Sequence, residues 1–303
     1  MNISSYIVID ILPRELVMLI FDFLDSASIF ALSRTSEQYL QNKIIRSYNK
    51  SHMSTIRTNA VENGHAKLFE WLVHSNEIGN DRYYTNLACK NGNLDIVTYL
   101  HKNGCKLDIT TCIAAIENGH LDVVKYLHEN GCDWSEHIWY DGCYGGACYC
   151  AARKGHLEIL QYLYENGCSD QIRTCGHICV CGVRSGKLEI VQYLHNIGCP
   201  WSFFACEIAA ENDSLDILRY LHENGCSWDK DSCRNAITNG HLNVLKYLHD
   251  NGCPWYENSC EHAARNDHLD ILKYLHEHGC RLNRDVCNDV AMNGREIPSN
   301  KVL

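Results

Sequence analysis

Residues 118–132 read Asn-Gly-His-Leu-Asp-Val-Val-Lys-Tyr-Leu-His-Glu-Asn-Gly-Cys, and similar segments recur along most of the chain. Seven of them end in a Gly-Cys dipeptide, and the steps between successive Gly-Cys cysteines are 27, 36, 31, 27, 27 and 27 residues. A fixed period of this size is typical of stacked helical units, because each unit buries its apolar face on its neighbours. The sequence therefore predicts one repeat array over residues 51–294.

The segment Ser232–Trp255 illustrates how one unit is built. Cys233, Ala236 and Ile237 have the spacing of one helix face, which predicts a short first helix. Gly240 is suited to a left-handed turn that ends this helix, and a second helix with its own apolar stripe follows. Each unit is therefore expected to be a pair of helices.

Composition limits the classes of partner. The formal net charge of −10 argues against nucleic acid and anionic membranes, since both favour clustered Lys and Arg. Neither a secretory signal nor a membrane-spanning stretch is recognisable, so we expect a soluble, monomeric, cytoplasmic protein. The 19 cysteines are expected to be reduced. Equivalent cysteines of neighbouring units would lie roughly 10 Å apart, beyond the ~7 Å between Cα atoms that a disulfide allows.

The segment Asn118–Asp133 resembles the second half of the ankyrin repeat, and alanines at the period of the array fit the small position of its first helix. The resemblance implies an all-α, ankyrin-like helical-repeat solenoid of about eight units plus a C-terminal half unit, followed by a tail over residues 295–303. The alanines are Ala60, Ala88, Ala115, Ala151, Ala209, Ala236 and Ala263, with Gly182 in the remaining full unit. The repeat sequences also resemble those of ankyrin proteins that giant amoeba-infecting DNA viruses encode. This resemblance implies a host protein as target and the host cytoplasm as location.

The units are about six residues shorter than the roughly 33 residues of an ankyrin repeat, and they lack its Thr-Pro-Leu-His turn. Shortened hairpins are therefore expected. This departure shifts the predicted target-binding surface to the exposed face of the first helices. The predicted contact residues on that face are Glu117, Arg153, Arg184, Glu211 and Arg265.

Two insertions, Ser135–Ala147 and Ser169–Gly176, occupy the same connection in consecutive units, and we expect them to lie side by side. Trp139, Tyr140 and Tyr144 belong to the first insertion, in a predicted glycine-bearing loop. Aromatic side chains supply much of the binding energy at protein interfaces, so these three are candidate contacts for the target. A tolerated surface insertion is the alternative.

Cysteines and a histidine also gather near these insertions. Most of them fall on repeat positions, and Cys143, Cys175 and His177 are the members that do not. A zinc-dependent module remains an alternative that metal analysis would test. We predict no metal site, no cofactor and no enzymatic activity, because no phosphate-binding loop and no nucleophile with a base at a recognisable spacing is found.

Residues 1–50 do not follow the 27-residue period. Their pattern Leu-Pro-x-Glu-Leu-x-x-x-Ile-Phe-x-x-Leu resembles the start of an F-box, which implies a three-helix segment that docks to the adaptor subunit of a cullin-type ubiquitin ligase. A simple cap on the open end of the array is the alternative. The residues that the resemblance assigns to this docking surface are Leu12, Pro13, Leu16, Ile20 and Phe21.

Taken together, these patterns predict a protein-interaction adaptor that recruits a target to a ubiquitin ligase. The alternative is an ankyrin scaffold that sequesters a host protein without a role in ubiquitin transfer. Loss of ligase-adaptor binding on changing Leu16 and Phe21 to Asp would distinguish the two functions.

Overall fold

The structure is a computed structural model, and it describes residues 50–74, 82–134, 139–140, 143–144, 146–202, 204–282 and 286. These residues belong to two compact units, which divide between Glu136 and His137. The predicted F-box-like segment before Lys50 and the predicted tail 295–303 lie outside the described residues. The predicted boundaries of the segment, array and tail therefore stay predictions.

The described residues of the first compact unit form three pairs of helices. In each pair a first helix packs on a second helix, and the first helices of successive pairs contact one another, as do the second helices. The pairs are α1 (Lys50–Glu62) with α2 (Ala66–His74), α3 (Arg82–Lys90) with α4 (Leu94–Lys102), and α5 (Ile109–Glu117) with α6 (Leu121–Glu129).

The second compact unit repeats this arrangement. Its first helices form a continuous row, in which each contacts the next. They are α7 (Ala147–Lys154), α10 (Gly176–Arg184), α12 (Phe204–Glu211), α14 (Lys230–Asn239) and α16 (Ser259–Arg265). Their partners are α8 (Leu157–Leu163), α11 (Leu188–Asn196), α13 (Leu215–Glu223), α15 (Leu242–Asp250) and α17 (Leu269–Glu277).

The pair α14 and α15 shows why the repeat folds in this way. Gly240 adopts a φ of 81°, and its N–H reaches the carbonyls of Ala236 and Ile237, which ends α14. The chain then reverses into α15, which packs on α14, and Ala236, Val244 and Leu248 are fully buried. The small side chain on the first helix leaves room for the branched ones on the second. The predicted all-α helical-repeat fold and the two-helix unit are confirmed.

The insertions differ from the predicted loop. Trp139–Tyr140 (β1) and Cys143–Tyr144 (β2) form a short antiparallel ribbon, and the Asp-Gly sequence between them is one that tight hairpin turns favour. In the second insertion the chain kinks at Gly167, where φ is 119°, and continues as the short helix α9 (Ser169–Thr174). Whether the two insertions lie side by side stays a prediction.

The connections between ordinary units are short. Only residues 224–229 separate α13 from α14, too few for a projecting hairpin of ankyrin length. None of the described helices has the length and apolar character needed to cross a bilayer.

Candidate protein-binding surface

The charged residues predicted to contact a target lie at the ends of first helices. Arg153, Arg184, Glu211 and Arg265 are the last or penultimate residues of α7, α10, α12 and α16. Because these helices belong to one contacting row of the second compact unit, the four residues occupy the same face. Glu117 has the same position at the end of α5 in the first compact unit.

The exposure of these residues suits a contact role. Arg184, Glu211 and Arg265 are exposed, whereas Arg153 and Glu117 are half-buried. Arg265 also lies 3.6 Å from the Glu261 carboxylate, one helical turn earlier. Such a surface ion pair contributes little to stability.

An acidic group that sequence analysis missed stands on this face. Oxygens of Glu207, Asp229 and Asp231 lie within 4.8 Å of one another. Burial raises the pKa of Glu207, and repulsion by the two aspartates raises it further. Glu207 lies two positions before the small residue Ala209, so aligning the repeats places it in a first helix. The sequence therefore contained a signal for the position of Glu207. The aspartates belong to the next unit, and only the fold brings them close.

Two of these carboxylates also have structural roles. Asp229 caps α14 by accepting a hydrogen bond from the Asp231 amide at 2.9 Å. Asp231 pairs with Arg234 at 3.1 Å and accepts a hydrogen bond from the Tyr256 hydroxyl at 3.0 Å. The group is therefore a negatively charged patch with engaged members, and we assign it no metal.

The described part of the fold does not bring together the residues that suggested a zinc site. Cys175 is half-buried and His177 is exposed, and in the described chain neither joins a set of three ligand atoms. The side chain of Cys143 lies outside the description. The absence of a predicted metal site therefore stays a prediction.

The aromatic residues of the first insertion come together through the backbone. Trp139 is the pairing partner of Tyr144, and Tyr140 pairs with Cys143. The ribbon thus holds the three predicted aromatic contacts within one short segment. Their role in binding stays a prediction.

Hydrogen bonds between successive helix pairs recur next to the ends of the first helices. His241 Nε2 donates to the carbonyl of Glu211 at 2.9 Å, and His268 Nε2 donates to that of Thr238 at 3.0 Å. In the first compact unit His120 Nε2 donates to the Lys90 carbonyl at 2.9 Å. Each carbonyl lies at or next to the end of the preceding first helix, where the helix itself offers no donor.

The side chain at this position precedes the second helix but makes no capping hydrogen bond to it. In the structure Lys187 Nζ donates to the Gly155 carbonyl of the preceding unit at 2.7 Å, as the histidines do. Asn93 makes the equivalent bond to Val61. These side chains therefore share an N–H donor, and its hydrogen bond joins each unit to the preceding one.

A second row joins the ends of the second helices. The His222 ring stacks on Trp228, with 3.8 Å between ring centroids, and its Nδ1 is hydrogen-bonded to the hydroxyl of Tyr247 at 3.2 Å. His195 and His249 repeat both contacts, with Trp201 and Tyr220 and with Trp255 and Tyr274. Each of these tryptophans is therefore held by a histidine of the preceding second helix.

Stacked helix pairs, joined by repeated side-chain contacts and carrying a charged face on the first helices, define a repeat protein whose surface binds other proteins. A family model of ankyrin repeats matches residues 57–138, 85–174, 113–202 and 206–286. These matches span most of the sequence, and the chain belongs to the ankyrin-repeat family.

An F-box domain model matches residues 9–41, which include all five residues assigned to the ligase-adaptor surface. No curated protein matches the chain. Ankyrin repeats and F-boxes are interaction domains without catalytic groups of their own, so the chain is a protein-interaction adaptor.

Proposed function

We propose that the chain is the substrate-recruiting subunit of a cullin-type ubiquitin ligase. Its F-box would bind the ligase adaptor subunit, and its ankyrin array would hold the protein to be modified. The observation that carries this proposal is the presence of both domains in one chain. An F-box beside a protein-binding array supplies the two contacts that target recruitment requires.

The adaptor contact is assigned to the apolar residues of the F-box. Their three- and four-residue spacings favour one face of a helix, as expected for a segment that docks on a partner. These residues are Leu12, Pro13, Leu16, Ile20 and Phe21.

The target contact is assigned to the first-helix face of the second compact unit. Arg153 and Arg184 make the α7 and α10 end of this face positive, whereas Glu207 and Glu211 on α12 make the adjoining part negative. A complementary target surface would carry acidic side chains opposite the arginines and a basic side chain opposite the glutamates. Charge complementarity of this kind mainly provides specificity and speeds association.

The aromatic ribbon would add an apolar contact, because Trp and Tyr dominate binding energy where they become buried. The resemblance of the repeat sequences to giant-virus ankyrin proteins supports a viral origin. The target would then be a host protein, bound in the cytoplasm of the host cell. Affinity purification from such cells, followed by mass spectrometry, would name it.

The ligase role is tested by binding of the full chain to a purified adaptor subunit. Replacing both Leu16 and Phe21 with Asp should weaken this binding at least about 30-fold, since it removes two apolar anchors of the assigned docking surface. Arg184→Glu is the matched control, because it lies in the ankyrin array and should leave adaptor binding unchanged.

The same experiment separates the two functions. If the double variant binds the adaptor subunit as tightly as the unmodified chain, the ligase role is wrong. A target that is still recovered by that variant would then identify a scaffold that sequesters its partner.

A further inference from the structure

Cysteines in this array are paired by a spacing of twenty residues, in addition to the period of the Gly-Cys dipeptides. From residue 112 onward, each full unit carries one cysteine in its first helix and another twenty positions later, in the Gly-Cys turn. The pairs are Cys112 with Cys132, Cys148 with Cys168, Cys179 with Cys199, Cys206 with Cys226, Cys233 with Cys253, and Cys260 with Cys280.

The fold brings the members of five of these six pairs into contact. The Sγ atoms of Cys233 and Cys253 lie 3.2 Å apart in the core, where the two residues are 0% and 2% exposed. Side chains are also hydrogen-bonded to each other in four further pairs. These are Cys112 with Cys132, Cys148 with Cys168, Cys206 with Cys226, and Cys260 with Cys280.

The antiparallel course of the two helices explains this contact. The second helix returns the chain to the start of the first, so that Cys253 Sγ also donates to the carbonyl of Asp229, 3.1 Å away, just before α14. Equivalent cysteines of neighbouring units lie on successive helix pairs, and the predicted spacing of roughly 10 Å applied only to those cysteines. Within a unit the partner is already in place.

We propose that these pairs are oxidisable dithiol sites, which form disulfide bonds within a unit on reaction with a small-molecule disulfide such as oxidised glutathione. Disulfide geometry requires an S–S distance of about 2.0 Å and Cβ atoms about 3.5–4.5 Å apart. Two thiols in contact can reach it through small side-chain movements. The proposal does not depend on the ubiquitin-ligase role.

The reaction begins at the Gly-Cys thiol, which is the more exposed member in four of the five contacting pairs. The exception is Cys148 with Cys168, where the exposures are 1% and 0%. Cys226 is 4% exposed and Cys280 is 7% exposed, against 0% and 1% for Cys206 and Cys260. A hydrogen bond from Cys206 lowers the pKa of Cys226, which favours the thiolate that attacks disulfides.

The exchange then balances in two steps. The Gly-Cys thiolate attacks one sulfur of oxidised glutathione, forms a mixed disulfide and releases one glutathione thiol. The first-helix thiol loses its proton, attacks the Gly-Cys sulfur and releases the second glutathione thiol. Two cysteine thiols are oxidised, and one glutathione disulfide is reduced to two thiols.

The chain contains a matched control for this chemistry. Cys105 is a Gly-Cys cysteine that is 4% exposed, like Cys226, but the first-helix position twenty residues before it is Thr85. It therefore has the exposure of the paired cysteines but no thiol at that first-helix position.

The test incubates the reduced full chain with oxidised glutathione, blocks the remaining thiols by alkylation and maps the products by peptide mass spectrometry. We expect links between Cys233 and Cys253 and within the other contacting pairs, each with the loss of two hydrogen atoms. Cys105 should instead carry glutathione or remain a thiol. Links that join cysteines other than these partners, or paired cysteines modified only as Cys105 is, would overturn the proposal.

Two variants sharpen the result. Thr85→Cys supplies the missing partner and should convert Cys105 from a glutathione acceptor into a member of an additional link. Cys233→Ala should leave Cys253 carrying glutathione. If Cys233→Ala does not fold, as judged by circular dichroism, Thr85→Cys decides the matter, and its failure to form the link contradicts the proposal.

Discussion

The side chain that follows the glycine turn of the first helix differs between units, yet in several of them it reaches back to the preceding unit. Histidine, lysine and asparagine all perform this role, at His120, Lys187, His241, His268 and Asn93. Each donates an N–H to a backbone carbonyl near the end of a first helix. An unpaired carbonyl in a partly buried setting is unfavourable, so these bonds stabilise the stacking of units.

Lys187 provides a direct test of this role. Lys187→Met keeps most of the side-chain stem but removes the donor to the Gly155 carbonyl, so we expect a loss of about 1–2 kcal/mol in the free energy of unfolding. Lys187→His, which introduces the residue found at this position elsewhere, should recover part of it. Urea denaturation measures both. Lys273→Met, at an exposed lysine of α17, is the control, and an equal loss there would contradict the assignment.

His249 predicts a pH dependence of stability. Burial lowers the pKa of His249, and the neighbouring His278, whose ring centroid is 5.0 Å away, lowers it further, against an opposing effect of Asp250. As pH falls below about 6.5, the unfolded chain takes up the proton first. The stabilising contribution of neutral His249 is therefore complete above that pH and is lost as pH falls toward the folded-state pKa.

Thermal melts between about pH 7.5 and 5.5 check this prediction, a window around the unperturbed histidine pKa. The melting midpoint of His249→Gln should fall less steeply than that of the unmodified chain. His278→Gln removes one cause of the shift and should give an intermediate slope. Identical slopes for all three proteins would refute the assignment.

At the scale of the element, the first helices are defined by one small position. It is alanine in most units and Gly182 in α10. A Cβ added at Gly182 would lie 2.8 Å from Leu194 Cδ1 and 3.2 Å from Ile190 Cγ2, and both of these side chains are buried. The glycine thus allows α11 to approach α10 more closely than a Cβ would permit.

Gly182→Ala is expected to give no gain in stability, although alanine is the residue of the other units. The helix would gain about 1 kcal/mol in propensity. Overpacking against Leu194 and Ile190 costs about 1–3 kcal/mol, so a net loss of about 1 kcal/mol should appear in denaturant melts. Ala209→Gly in the next first helix is the reciprocal control and should also destabilise. A more stable Gly182→Ala protein would disprove the close contact.

Ala236 tests the placement of the small position in an ordinary unit. Its side chain is fully buried against α15, so Ala236→Glu would bury an unpaired carboxylate and should cost about 3 kcal/mol or more. Asn243→Asp is the control, because Asn243 is exposed in the first turn of α15, where an acidic residue is favourable. An unchanged melting midpoint for Ala236→Glu would contradict the fold of this unit.

At the scale of the whole molecule, the two domains divide the work of an adaptor. The F-box match occupies residues 9–41, and the ankyrin matches begin at residue 57. Binding to the ligase adaptor and binding to a target are therefore expected to be separable by mutation.

The charged face predicts how target binding responds to reversal of charge. The double variant Glu207→Lys with Glu211→Lys should weaken recovery of the target from cell extract at least about tenfold, because it places like charges against a basic partner. Binding to the ligase adaptor should not change. Glu223→Lys, an exposed change in the second helix α13, is the control. Equal recovery by the double variant would exclude this part of the face.

The sequence by itself determined the period, the paired helices, the glycine turn and the buried small residue. These features follow from contacts between residues close in the chain and recur from unit to unit, so they can be recognised in one segment. Asp213 and Asp267 take the place of the turn glycine in two of the units. The F-box-like pattern was recognisable for the same reason. The exposed positions of Arg184 and Glu211 could also be predicted, because residues on one face of a helix recur at a regular spacing.

Only the tertiary structure decided which side chains meet across the fold. The bond from Lys187 to Gly155, the acidic group of Glu207 with Asp229, and the contact of Cys233 with Cys253 all depend on how closely helices approach. That approach is set by the packing of side chains from several elements at once. A repeat period reports that units stack, but it does not report the spacing and rotation that bring particular atoms together.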